Sequence, residues 1–309
     1  MARKAWTYPV QFFATLFLFL GAPLLAWQAD DPAELTFRTG VNFVLLDVSV
    51  LGPNGTSIAG LKKEQFQVAE NGRVQEIVRF DEGTANVSIA LVVDYSGSMM
   101  PRHGALLRGM GAFATLLQSG DEGLLTIFNE HPQQLGKFRS SSELNAWTAT
   151  LSDRRPTGMT SLYDALIVSS RALADSSVER RAIIILSDGK DTSSVANLQH
   201  CVDELRSSNR LLYTVGLFEP GDLDTDAGAL RKLAASTGGL TFFDRDGTHL
   251  PQVFTQIMKD IRARYVLGFY SKEGDANDVR KLAVTVRDAQ GHKYSTRSRT
   301  EYRIDKKVP

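Results

Sequence analysis

At residues 91–100 the apolar run "LVV" ends in Asp94-Tyr95-Ser96-Gly97-Ser98. Alternate spacing lets Asp94, Ser96 and Ser98 project from one side of a locally extended backbone, presenting a carboxylate and two hydroxyls together. Three uses fit such a set: turn formation at a strand end, a nucleophile with its orienting acid, or part of a metal site. Two other stretches bear on the choice. "AIIIL" runs into Ser187-Asp188-Gly189, and the loop "RPTGMTSLYDAL" enters a helical pattern with Gly158 and Thr160 near its start. If these stretches converge, Thr160 adds a hydroxyl and Asp188 a second carboxylate. Five oxygens with no imidazole or thiolate among them suit Mg²⁺, Mn²⁺ or Ca²⁺ rather than zinc. Three of the five carry no charge, so a bound ion stays electrophilic and open to a carboxylate from a partner.

The nucleophile reading needs a base within hydrogen-bond reach of Ser96 or Ser98. His103 is the nearest histidine, and no G-x-S-x-G elbow is present. "DGKDTSS" places Asp191 and Thr192 just past Asp188, where they could widen a metal site or contact a partner, although a solvated loop is the plainer expectation. Tyr95, Met99 and Met100 flank the motif and read equally as core or as rim of a binding face.

The elements that must position these residues follow from periodicity. Short runs apolar at nearly every position ("SIALVVD", "GLLTIF", "RAIIILSD", "LLYTVGLF", "LTFFD") imply strands covered on both faces. Between them, "GALLRGMGAFATLL", "SLYDALIVSSRALAD" and "AGALRKLAAST" carry helical spacing, and "PQVFTQIMKDIRARY" closes the series. Alternating strands and helices predict an α/β fold, a doubly wound and mostly parallel sheet, with ligands outside the carboxyl ends of its strands. Before it, "VNFVLLDVSVLG" and "EQFQVAENGRVQEIVRF" alternate as β-strands with a turn at Asn71-Gly72. After it, "YVLGFYS" and "RKLAVTVRDAQGHKYSTRSR" return to β. Neither flank is large enough to bury a sound core alone, so the two are expected to pair as a β-sandwich into which the α/β domain is inserted.

"ALVVDYSGSM", "TGMTSLYDAL" and "IIILSDGKDTS", in that order, resemble the three segments of the metal-ion-dependent adhesion site of von Willebrand factor type A domains. The resemblance covers about residues 85–264, and the flanks are similar to bacterial exported von Willebrand factor A-related proteins. It implies a Rossmann-like fold, a protein-binding role without catalysis, and a metal site for Mg²⁺. Ser96 and Ser98 would ligate directly, Thr160 would complete the hydroxyls, and Asp94 and Asp188 would act through bound water. Met159 stands where these domains often carry a second glycine.

The bulk of the chain agrees with a globular binding protein. It has 309 residues, 43% of them hydrophobic, and 35 basic residues balance 35 acidic ones. No global field therefore favours nucleic acid or a membrane surface. A single cysteine, Cys201, excludes an intrachain disulfide framework. The N-terminus places Arg3 and Lys4 ahead of an apolar run from about Phe12 to Trp27, the pattern of a secretory signal peptide, with a retained anchor as the alternative. The expected organisation is a signal segment at 1–29, a β segment at 30–84, the α/β domain at 85–264 and a β segment at 265–309. The expected location is the periplasm or the cell exterior. An assembly subunit that does not use the ion, and a metal-dependent hydrolase, are the rival functions.

Overall fold

The computed structural model describes residues 42–53, 55–83, 86–218, 225–271 and 279–303. The expected signal segment lies outside the described residues. Strands β1 (Asn42–Leu51), β2 (Phe66–Glu70), β3 (Arg73–Gln75) and β4 (Ile77–Glu82) come first. Asn71 and Gly72 both take positive φ, 47° and 78°, which is what a tight two-residue hairpin between β2 and β3 demands.

The chain then runs β5 (Val87–Asp94), α1 (His103–Ala114), β6 (Glu122–Phe128), β7 (Pro132–Phe138), α2 (Ser141–Ser152), α3 (Leu162–Ala172) and β8 (Arg180–Ser187). It continues through α4 (Leu198–Ser207), β9 (Leu211–Gly216), α5 (Ala227–Thr237), β10 (Thr241–Phe243) and α6 (Leu250–Arg262). Strands β11 (Tyr265–Ser271), β12 (Val279–Val286), β13 (Ser295–Arg297) and β14 (Glu301–Arg303) close it.

The central sheet has the order β10-β9-β8-β5-β6-β7, with every pair parallel except β6 and β7. This is the doubly wound sheet read from the sequence. Strand β5 is buried at all eight positions because each face meets a helical layer. Val87, Ile89, Leu91 and Val93 pack with side chains of α1, α2 and α6, while Ala90 and Val92 pack with those of α3, α4 and α5. The chain moves to one side of β5 for β6 and β7, then crosses back to place β8 on the other. Strand order thus reverses beside β5, and a crevice opens there at the carboxyl ends.

The flanking segments interleave as expected. One antiparallel sheet has the order β13-β1-β11-β4 and the other β14-β12-β2-β3, so each takes strands from both ends of the chain. Leu46 and Val48 of β1, Phe66 and Val68 of β2, Leu267 and Phe269 of β11, and Val286 of β12 fill one core between the sheets. The α/β domain enters after β4 and leaves into β11, and these two strands pair with Tyr265 opposite Glu82.

A buried polar network ties the last helix to the sandwich. The Asp260 carboxylate accepts from the Tyr213 hydroxyl at 2.6 Å, Arg297 at 2.5 Å, Arg264 at 3.1 Å and Ser49 at 3.2 Å. Burial works to raise its pKa, but Arg264 and Arg297 hold the carboxyl below the ordinary range. Arg180 at the start of β8 donates to the carbonyls of Gly83, Ile261 and Arg264, gathering both connections around one guanidinium.

Candidate metal centre

All three stretches singled out in the sequence reach the carboxyl edge of the central sheet. Asp94 ends β5, and its side chain is fully buried. Oδ1 accepts from the Ser96 backbone N–H at 2.9 Å, and Oδ2 accepts from the Ser187 hydroxyl at 2.6 Å. The first bond turns the chain so that Ser96 and Ser98 fall together, their Oγ atoms 3.0 Å apart. Ser96 is buried and Ser98 is exposed, so the hydroxyl pair leads from the interior to solvent. A 3₁₀ turn over Gly97–Arg102 then passes into α1.

The loop that carries Thr160 lies along this motif. Thr157 N–H donates to the Tyr95 carbonyl at 2.9 Å, and Gly97 N–H donates to the Gly158 carbonyl at 3.0 Å. Gly158 has φ +85°, and a Cβ there would come within 2.8 Å of Glu130 Oε1. The backbone angle favours glycine, whereas the Glu130 carboxylate could swing away from a Cβ. Thr160 itself is buried and held from the third stretch: its N–H donates to Thr192 Oγ1 at 2.9 Å. Its carbonyl accepts from Thr192 N–H at 2.8 Å and Ser193 N–H at 3.0 Å.

Asp188 follows β8 and is also buried. It sits close enough to Asp94 that its charge, after burial itself, pushes the Asp94 carboxyl up to about 7. Two acids from neighbouring strand exits therefore lie within electrostatic reach of each other, with the Ser96 and Ser98 hydroxyls paired next to Asp94 and the Thr160 loop hydrogen-bonded alongside. The donor set is hard oxygen with surplus negative charge, which fits Mg²⁺, Mn²⁺ or Ca²⁺.

Three residues hold the site together in ways the sequence did not assign to them. Ser187 fixes Asp94, and its hydroxyl also accepts from the Gly189 N–H at 2.9 Å. The signal was adjacency to Asp188 at a strand exit. Thr192 and Asp191 do more than line a solvated loop. Thr192 pins Thr160, and Asp191 accepts from the Tyr163 N–H at the start of α3 at 3.3 Å and from the Ser194 hydroxyl at 2.5 Å.

The flanking residues divide. Tyr95 and Met99 are core, whereas Met100 and Met159 are exposed beside the site. The Tyr95 hydroxyl donates to the Leu151 carbonyl at 2.8 Å and lies 2.5 Å from His103 Nε2. His103 is thereby engaged by Tyr95; among the described residues it makes no hydrogen bond to Ser96 or Ser98.

The sequence model of the von Willebrand factor type A domain matches residues 88–256. No curated protein matches the chain. Among solved structures, a von Willebrand factor type A protein from Catenulispora acidiphila is similar at TM-score 0.51 and 15% identity, over 88% of this chain and 76% of that one. Proximal thread matrix protein 1 from the mussel byssus is similar at TM-score 0.51 and 15% identity, over 63% of this chain and 51% of that one. At such identity the likeness is one of fold.

Proposed function

Given that the chain belongs to the von Willebrand factor type A domain family, we propose that it is an exported, non-enzymatic protein-binding module that uses a divalent metal. Ser96, Ser98 and Thr160 would hold the ion with their hydroxyls, and Asp94 and Asp188 would balance its charge through water. Mg²⁺ is the first choice, with Mn²⁺ or Ca²⁺ as substitutes. A bound ion supplies a Lewis-acidic corner that an acidic side chain of a protein partner completes.

The chain's own residues do the rest. Ser187 and the Ser96 backbone N–H fix both oxygens of Asp94. Thr192 sets the height of Thr160. The observation that carries the reading is the meeting of Asp94 with Asp188 beside the paired serine hydroxyls, a concentration of negative charge that a cation would relieve. The engagement of His103 by Tyr95 supports a binding role over hydrolysis. Residues 30–84 and 265–309 would act as one sandwich that carries the domain 85–264 and presents its metal face, in the periplasm or outside the cell.

The test is capture of a partner from envelope extract by wild type and Asp94→Ala, each in Mg²⁺ and in EDTA. Capture should occur only with wild type in Mg²⁺. Capture that persists in EDTA and with Asp94→Ala would falsify metal-mediated binding and point to a scaffold that ignores the ion.

A further inference from the structure

Among the described residues of the α/β domain, three large apolar side chains are exposed: Met100 at 40%, Met159 at 53% and Val195 at 98%. Single exposed apolar residues are ordinary on a protein surface. The placement of these three is not. Each stands on a different one of the loops that bring Ser96, Thr160 and Asp188 to the carboxyl edge of the sheet. The outer faces of α1 to α6 carry none.

Hydrogen bonds lace the three loops side by side. Gly97 N–H meets the Gly158 carbonyl next to Met159, and the Thr160 carbonyl accepts from the N–H groups of Thr192 and Ser193. Adjacent hydrogen-bonded segments lie about 5 Å apart, so the three loops span about 10 Å. About three residues of an extended chain reach that far.

The backbone at Val195 is fixed from the neighbouring loop. Asp164, in the first turn of α3, accepts from the Val195 N–H at 2.8 Å through Oδ2 and from the Ala196 N–H at 3.0 Å through Oδ1. The Asp164 N–H in turn donates to Ser194 Oγ at 3.1 Å. The most exposed apolar side chain of the domain is thus carried on an ordered loop, and a partner need not supply that ordering.

The chemistry of the occupant follows. A cation held by Ser96, Ser98 and Thr160 takes a carboxylate, which sets where a partner lies; the inference rests on that reading. Apolar side chains laid against Met100, Met159 and Val195 leave water favourably, whereas polar ones lose water without a hydrogen bond in return. The flexible, polarisable thioethers suit aliphatic and aromatic groups alike.

We infer that the metal face recognises an extended segment of a partner protein in which an acidic residue is flanked by large apolar ones. The carboxylate meets the ion, and the flanks lie against Met100, Met159 and Val195. The experiment is calorimetry on the full chain with three end-capped pentapeptides, each in Mg²⁺ and in EDTA: Gly-Leu-Asp-Phe-Gly, Gly-Ser-Asp-Ser-Gly and Gly-Leu-Asn-Phe-Gly. In Mg²⁺ the first should bind about tenfold or more tightly than the second, the loss expected when a covered apolar group is removed. Met159→Ser and Val195→Ser, both at exposed positions, should each weaken the first peptide about tenfold and leave Mg²⁺ affinity within about twofold. Equal binding of the two aspartate peptides, in Mg²⁺ alone, would overturn the apolar rim and leave metal-mediated capture standing. Undiminished binding of the asparagine peptide, or of the first peptide in EDTA, would overturn the metal reading and this inference with it. Binding of no peptide, or indifference to both substitutions, would overturn the inference, while titration of the same protein with Mg²⁺ reports separately on the metal site.

Discussion

Ser187 has no place in the proposed ligand set, yet it donates the shorter of the two bonds that hold Asp94. Groups that orient a metal-balancing carboxylate are worth about 10–100-fold in metal affinity. Ser187→Ala should therefore weaken Mg²⁺ binding by about that factor, with an unchanged circular dichroism spectrum; calorimetry of Mg²⁺ binding checks it. The raised Asp94 carboxyl gives a second expectation. Its folded pKa, about 7, lies above the ordinary 3.8, so its contribution favours folding while the carboxyl is protonated and fades as pH rises towards 7. In EDTA the melting temperature should fall between about pH 4 and about pH 7, and saturating Mg²⁺ should remove most of that fall. A flat metal-free profile would mean that Asp94 is not held against Asp188. At this scale the D-x-S-x-S spacing made Asp94, Ser96 and Ser98 legible in the sequence. Thr160 and Asp188 were legible from their strand exits. The positioning bonds of Ser187 and Thr192 were not, because they join segments in a way that sequence spacing does not encode.

Among the elements, α6 is tied through Asp260 to both the central sheet and the sandwich. Asp260 gathers Ser49, Tyr213, Arg264 and Arg297 from four separate elements or connections, and Arg264 is fully buried. Asp260→Asn leaves two guanidinium groups without their anion, and breaking a buried pair in this way costs about 3–5 kcal/mol. Urea unfolding should register that loss. Because Asp260 titrates below 3.8 in the folded chain, its contribution is present above that pH and is lost as the pH falls further. The gap between variant and wild type should accordingly narrow in strong acid. None of this was legible beforehand, since the five participants are scattered from residue 49 to residue 297. The strands β5 and β8 were plain from their unbroken apolar runs. Helix α2 was not anticipated, because it buries only Leu144 and Leu151 and so carries little periodic signal. The segment "LTFFD" had the look of a buried strand, but β10 lies at the sheet edge and is only half-buried.

On the scale of the whole molecule, the two ends of the chain depend on each other. Strand β2 pairs with β12 from Phe66 opposite Val286 to Glu70 opposite Leu282. A chain ended after Ser271 lacks that partner and leaves Phe66 and Val68 uncovered. It should melt in two separated steps and bind a hydrophobic dye, whereas the full chain should melt in one. A single sharp transition in the shortened chain would show that β1, β4 and β11 suffice. The mutual dependence was legible as two undersized β blocks; the assignment of strands to sheets was not, because alternation is the same in either register. The side-by-side entry and exit at Glu82 and Tyr265 also decides how the molecule would carry tension. The proposed metal face stands about 25 Å away along β5, so a pull on it reaches both connections in the same direction. Resisted by the chain ahead of Asn42, that pull drags β1 and β11 lengthwise past one another. All seven of their register pairs then bear the load at once instead of parting in sequence like a zip.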